Sequence, residues 1–150
     1  MTISEHLDEN AIVELEGTDS KAVLSELIGA AHRVYQFKAP LDRVIEVVMA
    51  RERIGSTGLG GGIAIPHAQF GDIEREIVVV GRSKEGIDFG AADGERVQIF
   101  FLLLGPQNVK GHLAVLAAIA RICKSEGFME KAIAAEDAIV MRELVLGIDV

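Results

Sequence analysis

The segment Val97-Gln-Ile-Phe-Phe-Leu-Leu-Leu104 constrains the fold more than any other part of the chain, because only Gln98 interrupts its apolar character. Strict alternation marks a strand with one wet face, whereas a continuous apolar run of this length reads as a strand covered on both faces. The rest of the chain must therefore supply two layers. Asp19 or Ser20 caps a helix in which Val23, Leu24, Leu27, Ile28, Ala31 and Val34 recur at helical spacing. Pro40 suits the first turn of a second helix, with Leu41, Val44, Ile45 and Val48 on one face and Gly55 at its end. Downstream, a helix is expected from about Asn108–His112 to Lys124. There Leu113, Leu116, Ala117 and Ala120 repeat at helical spacing, and Val115, Ile119 and Ile122 widen the apolar surface. Two more are expected at 126–134 and 137–146.

Between these helices the pattern turns to strands. Glu76 to Arg82, Ile87 to Phe89 and Arg96 to Leu104 are three, the last two joined through the turn dipeptide Asp93-Gly94, and Ile12 to Leu15 is a brief fourth. Helices at both ends around central strands make an α/β layered domain, and no linker or repeat divides residues 1–150. Composition agrees: 49% of residues are hydrophobic, 25% are charged and only three are proline, which excludes a disordered chain. No apolar run approaches the roughly 20 residues that span a bilayer. Residues 1–16 carry acids and no basic stretch of the secretory kind. The one cysteine, Cys123, excludes an internal disulfide and fits a reducing compartment, and its apolar neighbours Ile119, Ala120 and Ile122 mark it as a buried, inert thiol. The expectation is a cytoplasmic protein without membrane insertion. A net charge of −8 repels phosphate backbones, so nucleic acid is not an expected partner.

Chemistry is concentrated in residues 51–67 and around His112. Five glycines within residues 55–62 leave that stretch too free for regular structure. Ile63-Ala-Ile-Pro-His67 follows as an extended segment. Pro66 fixes its own φ and biases Ile65 towards extended geometry, so the His67 imidazole is presented from a stiff segment beside an adaptable one. Glycine backbone N–H groups can approach phosphate oxygens closely. His112 falls in the first turn of a helix, where free N–H groups attract anions. Arg51 borders the buried face of its helix and offers a planar fork to phosphate, and Ser56 and Thr57 add hydroxyl donors. Each of these residues alone has a plainer reading: a structural histidine, a helix-cap histidine, an arginine paired with Glu46 or Glu52, two turn residues. His6 and His32 lack such company and read as surface residues. Gly-x-Gly-x-x-Gly, a Walker loop, Gly-x-Ser-x-Gly, His-x-x-x-His and Cys-x-x-Cys are all absent, which removes the nucleotide, hydrolase and metal readings.

Taken together, Arg51-Glu-Arg-Ile-Gly-Ser-Thr-Gly-Leu-Gly60 followed by Gly62-Ile-Ala-Ile-Pro-His67 closely resembles the phosphorylation-site segment of enzyme IIA domains of the bacterial phosphoenolpyruvate-dependent phosphotransferase system, in the fructose/mannitol family. Within that family it is most similar to the nitrogen-regulatory branch, and Gly111-His112-Leu113 and the C-terminal helices extend the likeness over nearly the whole chain. The resemblance implies one compact α/β domain, a mixed central sheet flanked by helices on both faces. It implies that His67 accepts a phosphoryl group on Nε2 from an HPr-type phosphocarrier, with His112 as the second active-site histidine and Arg51 beside it. Ser56, Thr57, Gly58 and Gly60 would line the phosphate loop, and no metal, nucleotide or other cofactor is implied. The partner after HPr would be a regulatory target in nitrogen or potassium signalling, or the IIB domain of a fructose- or mannitol-type transporter. A module that binds without accepting phosphate is the third alternative. Two residues depart from the family pattern. Ala68 stands where glycine is usual, which would cost about 1 kcal/mol if φ there were positive. Gln69 stands where a basic residue is common, and both bear on partner docking and transfer rate.

Overall fold

The 97–104 run is the middle of the molecule. In the computed structural model, which describes residues 3–54, 58–91 and 93–148, Val97–Gly105 forms a strand with every residue buried except the half-buried Gln98. Numbered in chain order, the strands are β1 (Ile12–Glu14), β2 (Gly58–Gly60), β3 (Ile63–Ala64), β4 (His67–Gln69), β5 (Ile77–Ile87) and β6 (Val97–Gly105). The helices are α1 (Ser20–Tyr35), α2 (Leu41–Ile54), α3 (Val109–Cys123), α4 (Phe128–Ala134) and α5 (Ala138–Ile148). β5 runs antiparallel along one side of β6 and carries β1, parallel, on its outer edge. The other side of β6 is shared by β3 and β4, both parallel to it, and β2 closes that edge antiparallel to β3. The sheet is mixed, as expected.

Alternation along β5 shows how the two layers are divided. A Cβ on Gly81 would lie 2.6 Å from Leu27 Cδ2 of α1, so α1 comes down onto the bare backbone there. The next residue, Arg82, points to the opposite face. Its guanidinium, 4% exposed, donates to the carbonyls of Ala132, Ile133 and Ala135 at the end of α4 and to the Glu14 carboxylate. Helices therefore cover both faces, with α1 and α2 packed together and α4 touching both α3 and α5.

Local signals account for the elements. Asp19 caps α1 by accepting from the Ala22 N–H at 2.8 Å, and Val23, Leu24, Leu27, Ile28 and Ala31 are buried as their spacing predicts. Pro40 lies just before α2, its carbonyl accepting from Val44. Three expectations need correction. The strands expected at 76–82 and 87–89 are one strand ending at Ile87, because a register shift between Arg82 and Ile87 absorbs the intervening polar residues and Gly86 takes φ 76°. The glycine-rich stretch is not wholly irregular: residues 58–60 pair with β3 as a short strand, with a register shift between Gly58 and Gly60 that Gly60 accommodates at φ 88°. The buried face of α3 is His112, Val115, Ala118, Ile119 and Ile122, while Leu113 is 58% exposed and Ala117 also faces out. A helix apolar on several sides leaves the choice of face to what lies beneath it. No helix among the described residues is long and apolar enough to cross a membrane.

Candidate functional site

His67 begins β4, opposite Leu103 of β6. Pro66 has no N–H, so the edge strand along β6 is interrupted between β3 and β4. The carbonyls at the break find other donors. Leu103 N–H donates to the Pro66 carbonyl at 2.9 Å, and His67 Nδ1–H donates to the Ile65 carbonyl at 2.7 Å. The ring is thus tied to the stiff segment that carries it. Beyond it, the Gln69 amide donates to the Pro106 carbonyl at 3.1 Å, fastening β4 to the turn before α3. Ala68 is buried in β4, and Gln36 is the only non-glycine residue with positive φ among those described. Ala68 does not have the positive φ that would have strained it, because a strand position asks nothing of glycine.

The other histidine comes from α3. Asn108 caps this helix, its side chain accepting from Gly111 N–H at 3.2 Å, and His112 sits in the first turn on the buried face. Its ring centroid is 5.8 Å from that of His67, the planes tilted by 49°. Its Nδ1 lies 2.8 Å from Glu76 Oε1, with His112 5% and Glu76 7% exposed. His112 Nε2 is buried and has no hydrogen-bond partner among the described residues.

Electrostatics single out His67. Its pKa lies below the ordinary 6.5, chiefly because burial penalises the imidazolium. The hydrogen bond to Ile65 opposes the shift, and the electrostatic effects of Arg51, in the last turn of α2, and of His112 add to it. The half-buried Arg51 is thus within electrostatic reach of the His67 ring. Two expected residues, His67 and His112, come together ring to ring, and Arg51 acts on His67 electrostatically.

The glycine stretch is less simple. Ser56 and Thr57 lie outside the described residues. Gly58 and Gly60 belong to β2, and the neighbouring Gly61 N–H donates to the Asp93 carboxylate at 3.0 Å, so that donor is already engaged. The Glu95 N–H first, and then the Gly61 N–H, hold the Asp93 pKa down. Among the described residues no group of three or more His, Cys, Asp or Glu side chains could hold a metal.

Sequence reasoning missed Glu76, which reads as the polar first residue of a strand. It also misplaced His6, which is half-buried with Nδ1 3.3 Å from the Glu76 carbonyl oxygen. A glycine at the end of an apolar strand, Gly105, was the available signal. A Cβ there would overlap the Glu76 carboxylate.

Residues 5–146 match the model of the family described as "Phosphoenolpyruvate-dependent sugar phosphotransferase system, EIIA 2". A nitrogen regulatory protein of Bradyrhizobium diazoefficiens is 38% identical over 96 residues, covering 63% of each chain, so the match spans less than two thirds of that relative. A PTS system fructose-specific EIIA component of Haloferax volcanii is 35% identical over 123 residues, covering 81% of this chain and 77% of that one. The crystal structure of the nitrogen regulatory protein IIA-Ntr from Neisseria meningitidis superposes with a TM-score of 0.88 at 32% identity, covering 95% of this chain and 98% of the other. The chain belongs to the EIIA 2 family of the phosphoenolpyruvate-dependent sugar phosphotransferase system, as an EIIA-type phosphocarrier domain related to the nitrogen-regulatory IIA-Ntr branch.

Proposed function

We propose that this chain carries a phosphoryl group on Nε2 of His67, received in the cytoplasm from an HPr-type phosphocarrier, and that its phosphorylation state serves mainly regulation of the nitrogen or potassium type. The observation that carries the reading is the 2.7 Å bond from His67 Nδ1–H to the Ile65 carbonyl. A nitrogen whose hydrogen is held by a carbonyl has no lone pair for phosphorus, which leaves Nε2 as the nucleophile. Burial favours the neutral ring, the form in which Nε2 keeps that lone pair. In the transfer the N–P bond of the donor histidine breaks and its electron pair returns to the donor ring, while the Nε2–P bond forms on His67. No metal or nucleotide takes part. Arg51 and His112 meet the charge on the phosphoryl oxygens, and Ser56, Thr57 and backbone N–H groups at Gly58 and Gly60 complete the set.

The regulatory role rests on the likeness to nitrogen regulatory proteins. A second reading, in which the phosphoryl group passes to a IIB domain of a sugar transporter, is favoured by the likeness to the fructose-specific component of H. volcanii. Incubation with phosphoenolpyruvate, enzyme I and an HPr-type carrier, read by intact mass, tests the carrier. One acid-labile phosphoryl addition, lost in His67→Ala, is expected. No addition with any donor would leave a module that binds without accepting phosphate. Onward transfer to a fructose-type IIB domain would replace the regulatory reading with the second.

A further inference from the structure

We propose that Glu76 is a positioning residue of the phosphoryl site, one that commits His112 Nδ1 and so reserves His112 Nε2 for a phosphoryl oxygen on His67. The inference rests on the reading of His67 as acceptor and goes beyond it, because it assigns work to a side chain that touches no phosphate.

A carboxylate is rarely buried without a partner, since desolvation costs more than most single contacts return. Glu76 has one, the Nδ1 of His112 at 2.8 Å, in a pocket that leaves each residue less than a tenth exposed. The pocket is made by an omission on the adjacent strand. Ile77 pairs with Leu104, which puts Glu76 beside Gly105, and any side chain at 105 would overlap the carboxyl group. β6 is buried and apolar throughout this end, and the one position without a side chain is the one where Glu76 lies.

The consequence is chemical. An ionised carboxylate only accepts hydrogen bonds, so Nδ1 of His112 carries its hydrogen toward Glu76. The bond made by one ring nitrogen decides what the other can do. His112 Nε2 is then a buried polar atom with no partner among the described residues, in the ring that faces His67 at 5.8 Å. Such an atom is unfavourable until something fills the gap. A phosphoryl group on His67 does so. Nε2 binds its oxygen as N–H, with a proton taken from solvent, and the Glu76 carboxylate is the counter-ion of the imidazolium that results. Among the described residues, the charged and titratable groups placed around this ring include Glu76 before β5, His67 on β4 and Arg51 of α2 acting on His67, while His6 of the N-terminal segment reaches the Glu76 backbone. Without Glu76 the ring can turn, and the imidazolium that would donate to the oxygen loses its counter-ion.

Three variants separate positioning from packing: Glu76→Gln, Gly105→Ala, and the double variant Glu76→Ala/Gly105→Ala. Phosphoryl uptake from a phosphorylated HPr-type protein is timed for each, urea stability is measured, and ring ¹⁵N spectra of His112 are recorded without phosphate. Glu76→Gln is expected to slow uptake on the order of 10- to 100-fold, with His67 still the acceptor. Gly105→Ala is expected to slow uptake and to lower stability, because its methyl group displaces the carboxylate. In the double variant the clash is gone, so stability recovers relative to Gly105→Ala while uptake stays slow. Uptake that recovers together with stability, or a Glu76→Gln variant at the wild-type rate, would overturn the proposal. Should the wild-type protein take no phosphate, the acceptor reading fails and the spectra decide alone. A wild-type His112 with its hydrogen on Nδ1, shifting to Nε2–H or to exchange in the double variant, supports the positioning role; the same spectrum in both overturns it.

Discussion

The proposed role of His67 as nucleophile requires a neutral imidazole, and burial favours that form. Its folded pKa lies below 6.5, with burial as the largest cause and the electrostatic effects of Arg51 and His112 adding to it. The unfolded chain therefore binds more protons than the native one between that lowered value and about 6.5, and stability rises with pH across the interval. The contribution is full above pH 6.5 and is lost as pH falls through the native pKa. Urea titrations at pH 7.5 and 5.5 are expected to show a larger loss for the wild type than for His67→Gln. Phosphoryl uptake should likewise hold its rate as pH drops to 6.5 and fall only below it. A rate already halved at pH 6.5 would mean an imidazole with ordinary basicity. Cys123 offers the opposite case: it is half-buried rather than buried as expected, yet desolvation still pushes its thiol up to about 12, so it stays protonated and inert. That inertness was legible from its apolar neighbours. The mutual approach of His67 and His112 was not, because 45 residues separate them and only the register of β4 on β6 and the start of α3 bring them together.

At the scale of elements, the joint between β1, β5 and α4 depends on Arg82. The last carbonyls of a helix have no partner within it, and here a buried guanidinium takes those of Ala132, Ile133 and Ala135 while also meeting Glu14. Replacement by methionine keeps the bulk and removes every donor. Arg82→Met is expected to lose about 2–3 kcal/mol of stability, measured by urea unfolding, from carbonyls left unsatisfied in a buried place. A change within experimental error would show that water reaches those carbonyls. Nothing in the local sequence announces this joint, since Arg82 reads as the polar last residue of the strand expected at 76–82. The helices themselves were legible, because capping residues and a period of 3.6 are local properties. The face of α3 was not.

For the whole molecule, β6 is the member around which both layers close. Phe101 is fully buried and its ring lies 6.1 Å from that of Phe128 of α4. Phe101→Ala removes that contact and opens a cavity that the two layers cannot collapse into. About 3–5 kcal/mol is the expected loss by urea unfolding, and a loss below 1 kcal/mol would mean that the layers repack freely. The sequence by itself determined the layered plan, the helices and the stiff Ile-Ala-Ile-Pro-His67 presenter, and its glycine-rich motif determined the family. All of these follow from periodicity, backbone restriction or a contiguous pattern, and each is encoded within a few neighbouring residues. Only the tertiary structure decided that Glu76 meets His112 across 36 residues, that Gly105 makes room for it, that β5 continues through a bulge to Ile87, and that Asp93 already holds a glycine N–H. Each of those depends on strand register, and register is set by the packing of the whole sheet between its helices.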